Sequence, residues 1–379
     1  MTVKLYDTDA YIFEFDATVV SCTKVLDNFE VVLNKTAFFP EEGGQTSDSG
    51  KIGTANVLHV SLRGDSVVHL ADSEATGECH CTLDRKSRFD KMQQHTGEHI
   101  ACGIAHSLYG CENVGFHLGN TDVTFDLDLL LDKKQLEEIE LCANRAVQAD
   151  VKVSARYPDP SELETLDYRS KGELPGAVRI VTIDGVDRCA CCAPHVSSTG
   201  QVGLIKFTDS YSFKGGTRIH MCCGMRSLED YKLKQKNLEE IALALSAKPN
   251  NTAQFFERFK SDNQILRQKL SAISRELALQ KAAMAPVSDS NILMFESDCD
   301  SNTLRLIANN LKGKYNGFCA VFSGSDSEGY SFVAASDKQD MRALAKSLQE
   351  RFGARCGGSD KMIQGTLNLS RAEIEEFLK

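Results

Sequence analysis

The sequence predicts an α+β fold built in four consecutive parts. Three observations carry that expectation: a strand-rich beginning, a change to helical spacing at Asp84, and a long helix-favouring stretch before an alternating C-terminal third. Residues 1–84 read as a small β-barrel. Residues 85–225 read as an α+β unit, 226–286 as a helical hairpin, and 287–379 as a small α/β domain.

In the first part, AYIFEFDATVVSCTKV and NFEVVLN are rich in β-branched and aromatic residues, and parts alternate. FFPEEGGQTSDSGKIG interrupts them as a Pro/Gly/Ser/Asp loop, and ANVLHVSLRGDSVVHLAD resumes strand character. From Asp84 onward, Phe89, Met92, Ile100, Ile104 and Leu108 recur at roughly helical spacing. Asp84 or Ser87 suits the start of that helix and Gly110 its end. KKQLEEIELCANRAVQ predicts a second helix over 133–148, while AVRIVTI and QVGLIKFTDSYSF predict strands. Two long helix-favouring stretches separated by KPNN follow, hence the antiparallel hairpin. Lys and Arg outnumber Asp and Glu there, as they would on a nucleic-acid contact or on a solvated spacer. In the last part, NILMFESD, GFCAVFSG and GYSFVAAS read as strands, and SNTLRLIANNLKG, DMRALAKSLQERFG and SRAEIEEFL as helices.

The chain of 379 residues is long enough for a real core. It contains no run of apolar residues sufficient to cross a bilayer, and its first residues lack the basic-then-apolar pattern of a secretory signal. Fourteen cysteines without such a signal predict a reducing, cytoplasmic setting, where cysteines serve as metal ligands or small core residues. The net charge of −10 weighs against broad nucleic-acid binding and leaves room for a local basic track.

HTGEH, residues 95–99, places two histidines four apart, and such residues share one helix face. DRCACCAPH, residues 187–195, supplies Cys189, Cys191, Cys192 and His195. Two sequence-distant pairs meeting at one ion is ordinary zinc architecture, so His95, His99, Cys191 and His195 are the candidate ligands for Zn2+. The neighbouring thiol leaves Cys191 and Cys192 as alternatives, with Cys189 a spare or core residue. HTGEH also fits the H-x-x-E-H pattern of inverted zinc peptidases, in which Glu98 is the general base and the cysteine cluster stands idle.

TAFFPEEGGQTSDSG (36–50), HTGEHI (95–100), GFHLG (115–119) and CCAPHVSSTGQVG (191–203) occur in an order that resembles the editing domain of alanyl-tRNA synthetases and their free-standing AlaX relatives. RFGARCGGSDKMIQG (351–365) is similar to the Gly-rich stretch of the C-terminal domain of alanyl-tRNA synthetases and DHH-family phosphoesterases. The layout resembles the long form of AlaX. Where many relatives carry Cys-Gly-Gly-Thr-His this chain has CCAPH, with the Cys-to-His offset kept.

The resemblance implies a zinc-dependent editing domain over 85–225 and a tRNA-binding domain over 287–379. The implied reaction is trans-acting hydrolysis of the ester of alanine tRNA mischarged with serine or glycine, without aminoacylation. It implies the zinc set His95, His99, Cys191 and His195 and puts Thr36 and Gln45 near the aminoacyl pocket. Gly43 and Gly44 suit a wall that backbone approaches closely, and Gln45 both donates and accepts hydrogen bonds. His117 either lines the site or sits in the core. Arg88 and Arg218 either meet phosphates or form salt bridges, and Arg355 and Lys361 are candidates for the tRNA elbow. A homodimer through the hairpin or the C-terminal domain is a further expectation. Three readings stand at this point: a deacylase, a zinc metallopeptidase, and a non-catalytic zinc-stabilised tRNA-binding protein.

Overall fold

The computed structural model describes residues 2–170, 177–285, 287, 290–297 and 299–378; the expected boundary at 286 lies outside them. The fold is mixed α+β, in two compact units, 1–237 and 238–379.

The first unit begins with six antiparallel strands: β1 (Glu14–Val25), β2 (Asn28–Leu33), β3 (Gly50–Ile52), β4 (Ala55–Arg63), β5 (Ser66–Ala71) and β6 (Glu78–Leu83). They hydrogen-bond in the order β1-β2-β5-β4-β3-β6 and close back on β1. Period-two alternation turns Phe15, Val31, Leu33, Val57, Val60 and Val67 into a dry interior. His69 also lies inside, fully buried. Its Nδ1–H donates to the Val31 carbonyl at 3.0 Å, and its Nε2 accepts from the Thr36 hydroxyl at 2.9 Å. Thr36 in turn accepts from the Phe38 amide, so this buried pair anchors the start of the 37–49 loop.

Helix α1 (Arg85–Tyr109) follows directly. Asp84 is its N-cap, accepting from the Ser87 amide, and Gly110 closes it in the left-handed conformation with φ 68°. It is the central element of the unit and is buried along most of its length, so its buried polar side chains must all find partners. Gln94 bonds both the carbonyl and the amide of Cys223 as a strand would. The antiparallel sheet β7 (Asn113–Leu118), β8 (Val123–Leu127), β12 (Ile205–Phe213) and β13 (Gly216–Cys223) has the order β12-β13-β8-β7 and packs on α1. Helix α2 (Lys133–Gln148) starts at an Asp132–Gln135 capping box and presents Leu136, Ile139, Ala143 and Val147 to the same core. A three-stranded antiparallel sheet, β9 (Val153–Arg156), β10 (Ile180–Ile183) and β11 (Asp187–Ala190), carries the chain into the 191–195 loop. Helix α3 (Met225–Ala244) crosses into the second unit.

The second unit holds α4 (Thr252–Met284) and a five-stranded sheet. Its strands are β14 (Ile292–Glu296), β15 (Cys319–Ser325), β16 (Gly329–Ala335), β17 (Arg355–Gly358) and β18 (Met362–Leu367), in the order β14-β15-β16-β18-β17. Only β14–β15 is parallel, because α5 (Ser301–Leu311) makes that crossover. Leu304, Ile307 and Leu311 of α5 cover one face with Ala278 and Ala282 of α4. Helices α6 (Met341–Phe352) and α7 (Arg371–Leu378) cover the other with Leu348 and Ile374. The Gly-rich 355–365 stretch forms the β17–β18 hairpin, because Gly365 lets β17 lie where a Cβ would come within 2.3 Å of the Arg355 carbonyl.

Candidate metal centre

His95 and His99 lie one turn apart on α1, and the loop after β11 brings Cys191 and His195 to them. One donor atom from each of the four lies within 4.8 Å of the others. Cys191 Sγ is 3.5 Å from His95 Nε2 and 3.4 Å from His195 Nε2. All three rings are buried, and their centroids lie 4.7–5.4 Å apart. The two adjacent thiols differ in direction. Cys191 enters the cluster, while Cys192 points toward Gly43 and packs near Tyr6 and Phe39. Cys189 lies outside the four, beside Asp187 and His99.

Each imidazole has its Nδ1 taken by a separate partner. His95 Nδ1 donates to Gln45 Oε1 at 2.8 Å, His99 Nδ1 to Asp187 Oδ2 at 2.9 Å, and His195 Nδ1 to Thr96 Oγ1 at 3.0 Å. With Nδ1 donating, Nε2 presents its lone pair to the centre, which is the tautomer a metal requires. Burial opposes charge on His99, but the Asp187 hydrogen bond raises its basicity well above that of an ordinary imidazole. Burial alone drives the Cys191 thiol up, yet the His95 and His195 rings beside it hold it well below the usual thiol range. Burial pushes His195 down to about 3, keeping it neutral. Three imidazole nitrogens and one sulfur are a borderline-soft donor set suited to zinc, so these residues fit the ion the sequence implies.

The 41–46 segment brings Gln45 to the cluster. Glu42 and Gln45 exchange backbone hydrogen bonds around Gly43 and Gly44, whose φ values of 62° and 82° form a two-glycine turn. The Gly44 carbonyl then accepts from the Leu118 amide at 2.7 Å. A Cβ on Gly44 would lie 2.3 Å from the Phe116 carbonyl, so this clip onto β7 needs glycine. Gln45 is buried; its Oε1 holds His95, while its Nε2 has no hydrogen-bond partner among the described residues.

The other residues singled out in the sequence have these places in the fold. Arg88 does not reach solvent. It is 1% exposed, ion-paired with Asp48 and bonded to the Ala10 and Ala37 carbonyls, so it ties α1 to the first strands and loop. Thr36 spends its hydroxyl on His69 inside the ring of strands. His117 is exposed on the face of β7 opposite Phe116, and it is the Phe116 ring that packs on His95, 4.6 Å away. Arg218 is paired with Asp126 and lies over the Phe213 ring. Arg355 and Lys361 are exposed on the β17–β18 hairpin. The peptidase reading needs the cysteine loop to be idle, whereas the structure brings it to His95 and His99. Glu98 is buried against Asn113 and Cys102. Thr96, Phe116 and Asp187 were not foreseen, although Thr96 and Asp187 stand inside the two stretches that carry the ligands.

Among the described residues, no helix is long and apolar enough to cross a membrane. Residues 178–224 match the family described as the threonyl and alanyl tRNA synthetase second additional domain, a segment that includes Cys191 and His195. The chain is 28% identical to the alanyl-tRNA editing protein Aarsd1 of Danio rerio, over 98% of this chain and 96% of that protein. It is 26% identical to the alanyl-tRNA editing protein AlaX-L of Pyrococcus horikoshii, over 99% and 96%. It is also 29% identical to the alanine–tRNA ligase of Methanopyrus kandleri, over 93% of this chain and 41% of the ligase. Over nearly all of its residues the chain is similar to alanyl-tRNA editing proteins.

Proposed function

We propose that this protein is a zinc-dependent aminoacyl-tRNA deacylase. It hydrolyses, in trans and in the cytoplasm, the ester joining serine, and secondarily glycine, to alanine tRNA, without charging tRNA itself. The observation that carries this reading is the convergence of His95, His99, Cys191 and His195 with every ring held at Nδ1. Coverage of 96% of relatives named for alanyl-tRNA editing supports the choice of reaction.

His95, His99, Cys191 and His195 would hold the zinc. When bound, it supplies a fixed positive charge that polarises the ester carbonyl or lowers the pKa of a water. Gln45 fixes one ligand and keeps a buried donor, Nε2, for the aminoacyl group. A donor left unpaired when the substrate hydroxyl is missing discriminates far better than a cavity that merely fits it, which favours serine over alanine. Phe116 walls the His95 side and limits water.

The division of labour follows the expected parts, with residues 85–225 editing and 287–379 gripping the tRNA. Exposed Arg355 and Lys361 on one hairpin support elbow contact by an otherwise acidic chain. Phe256, Phe259, Leu266, Leu270, Ile273 and Leu277 of α4 are all at least half exposed and follow one another at spacings of three, seven, four, three and four residues, which supports a homodimer.

Incubation with seryl-, glycyl- and alanyl-tRNA(Ala) tests the proposal. Loss of the seryl and glycyl esters with survival of the alanyl ester is expected; survival of all three refutes it and leaves a tRNA-binding role.

A further inference from the structure

The first unit buries two arginines in its interior, and they differ in one respect. Arg88 has its carboxylate, Asp48. Arg179 is 7% exposed and has no ion-pair partner among the described residues. Its Nη1 donates to the carbonyls of Cys191 at 3.0 Å and Ala193 at 2.9 Å, bracing the loop that carries two metal-site ligands. Nε is buried with no hydrogen-bond partner, and Nη2 makes no hydrogen bond to a described residue. A buried guanidinium nitrogen with no acceptor among the described residues is costly unless something else meets it.

Arg179 lines a cleft of about 200 Å³ together with Tyr6, Asp7, Asp9 and His195, so the cleft and the metal centre share a residue. Tyr6, 2% exposed, packs against Ala193 and Phe39 and also has a buried hydroxyl without a partner. Burial pushes its phenol well above the usual range, so it stays a donor. Two unrelated side chains therefore bring unsatisfied donors to one small cleft. The Nε/Nη2 fork of arginine matches two oxygens of one anionic group. In an aminoacyl ester the amino acid's carboxyl is already bonded, so the anion at hand is a backbone phosphate. The Asp7 and Asp9 carboxylates in the same cleft oppose a dianionic free phosphate more than a singly charged diester, and they suit ribose hydroxyls.

We propose that Arg179 and Tyr6 form a subsite for the phosphodiester immediately 5′ of the substrate's terminal nucleoside, seating the 3′ end beside the metal centre. This rests on the deacylase reading for the identity of the ligand. Arg179 acts as a binding and positioning residue.

Two pairs of compounds test it. Binding of the dinucleotide CpA and of adenosine, which lacks the phosphodiester, is measured by titration calorimetry with the wild type, Arg179→Gln and Tyr6→Phe. The wild type should prefer CpA by about tenfold or more, as a charge-assisted hydrogen bond allows. Arg179→Gln should abolish the preference and Tyr6→Phe should reduce it, with adenosine binding unchanged. Because Arg179 also braces the ligand loop, zinc content is read on every variant; Tyr6→Phe leaves that brace intact. Equal wild-type affinity for both compounds, or a preference that survives both substitutions, overturns the proposal. The 3′-seryl esters of the same compounds form the second pair. Arg179-dependent CpA binding without cleavage of either ester upholds the subsite and refutes the deacylase; cleavage of both with no phosphate preference does the reverse.

Discussion

Asp187 Oδ2 accepts the Nδ1 proton of His99 at 2.9 Å, and its other oxygen takes Arg169 Nε at 2.8 Å. Burial raises the Asp187 carboxyl, but His99 and Arg169 overcome burial and keep it ionised. The pair thereby fixes both the ring angle and the tautomer of a metal-site histidine. Replacing Asp187 by Asn should weaken zinc binding by about 10–100-fold while leaving the fold intact. Chelator competition reads the affinity; an unchanged zinc constant in a folded Asp187→Asn protein would rule out this orienting role.

Gly97 sits between the two histidines of α1, where a Cβ would come within 2.3 Å of Cys223 Sγ and 3.3 Å of Met221. Both neighbours belong to the buried core, so neither yields freely. Gly97→Ala should destabilise the protein by about 1–3 kcal/mol despite alanine's helix preference. Denaturant unfolding measures it, and a stabilised variant would mean that α1 and β13 pack less closely than described.

Gly44 combines a φ of 82° with a backbone approach that excludes any Cβ. Gly44→Ala should lift the 41–46 turn off β7 and withdraw Gln45 from His95. Deacylation should fall by at least tenfold and zinc binding should weaken as in Asp187→Asn, since Gln45 likewise orients one histidine without ligating. Full activity in this variant would remove Gln45 from the site.

His69 links stability to pH. Burial lowers its pKa to about 4, from a usual 6.5. Between these values the unfolded chain binds a proton that the folded protein refuses, so stability falls as pH drops from 6.5 to 4 and is insensitive to this group outside that window. The gap corresponds to ~3 kcal/mol. The metal ligands also respond to acid, so the diagnostic quantity is the difference between wild type and His69→Gln. That difference should shrink as pH falls from 7 to 4.5. A difference independent of pH would show that His69 titrates alike in the folded and unfolded chains.

Much of this was legible in the sequence. The ends of α1 are set by Asp84 and Gly110, and α2 begins at its Asp132–Gln135 box, because caps are local chemistry. The cluster of His95, His99, Cys191 and His195 was readable because i,i+4 spacing and a Cys-x3-His offset survive any tertiary arrangement. Whether Cys191 or Cys192 is used was not readable, since it depends on the direction the loop takes after β11. Arg88 and Arg179 illustrate the same boundary. Both are basic residues in polar surroundings, and only the fold reveals that one meets Asp48 while the other meets two carbonyls and a cleft. Strand β13 is not among the strands the sequence predicts; in the structure its Cys222 and Cys223 are core residues pairing with β12.

The most direct test is hydrolysis of seryl-tRNA(Ala) by the wild type and by Cys191→Ala, with zinc measured in both by elemental analysis. The wild type should carry about one zinc per chain at this single four-donor cluster and clear the ester, and Cys191→Ala should lose the metal and the activity together. A Cys191→Ala protein that keeps its zinc and still clears the ester would contradict a shared centre built from α1 and the 191–195 loop.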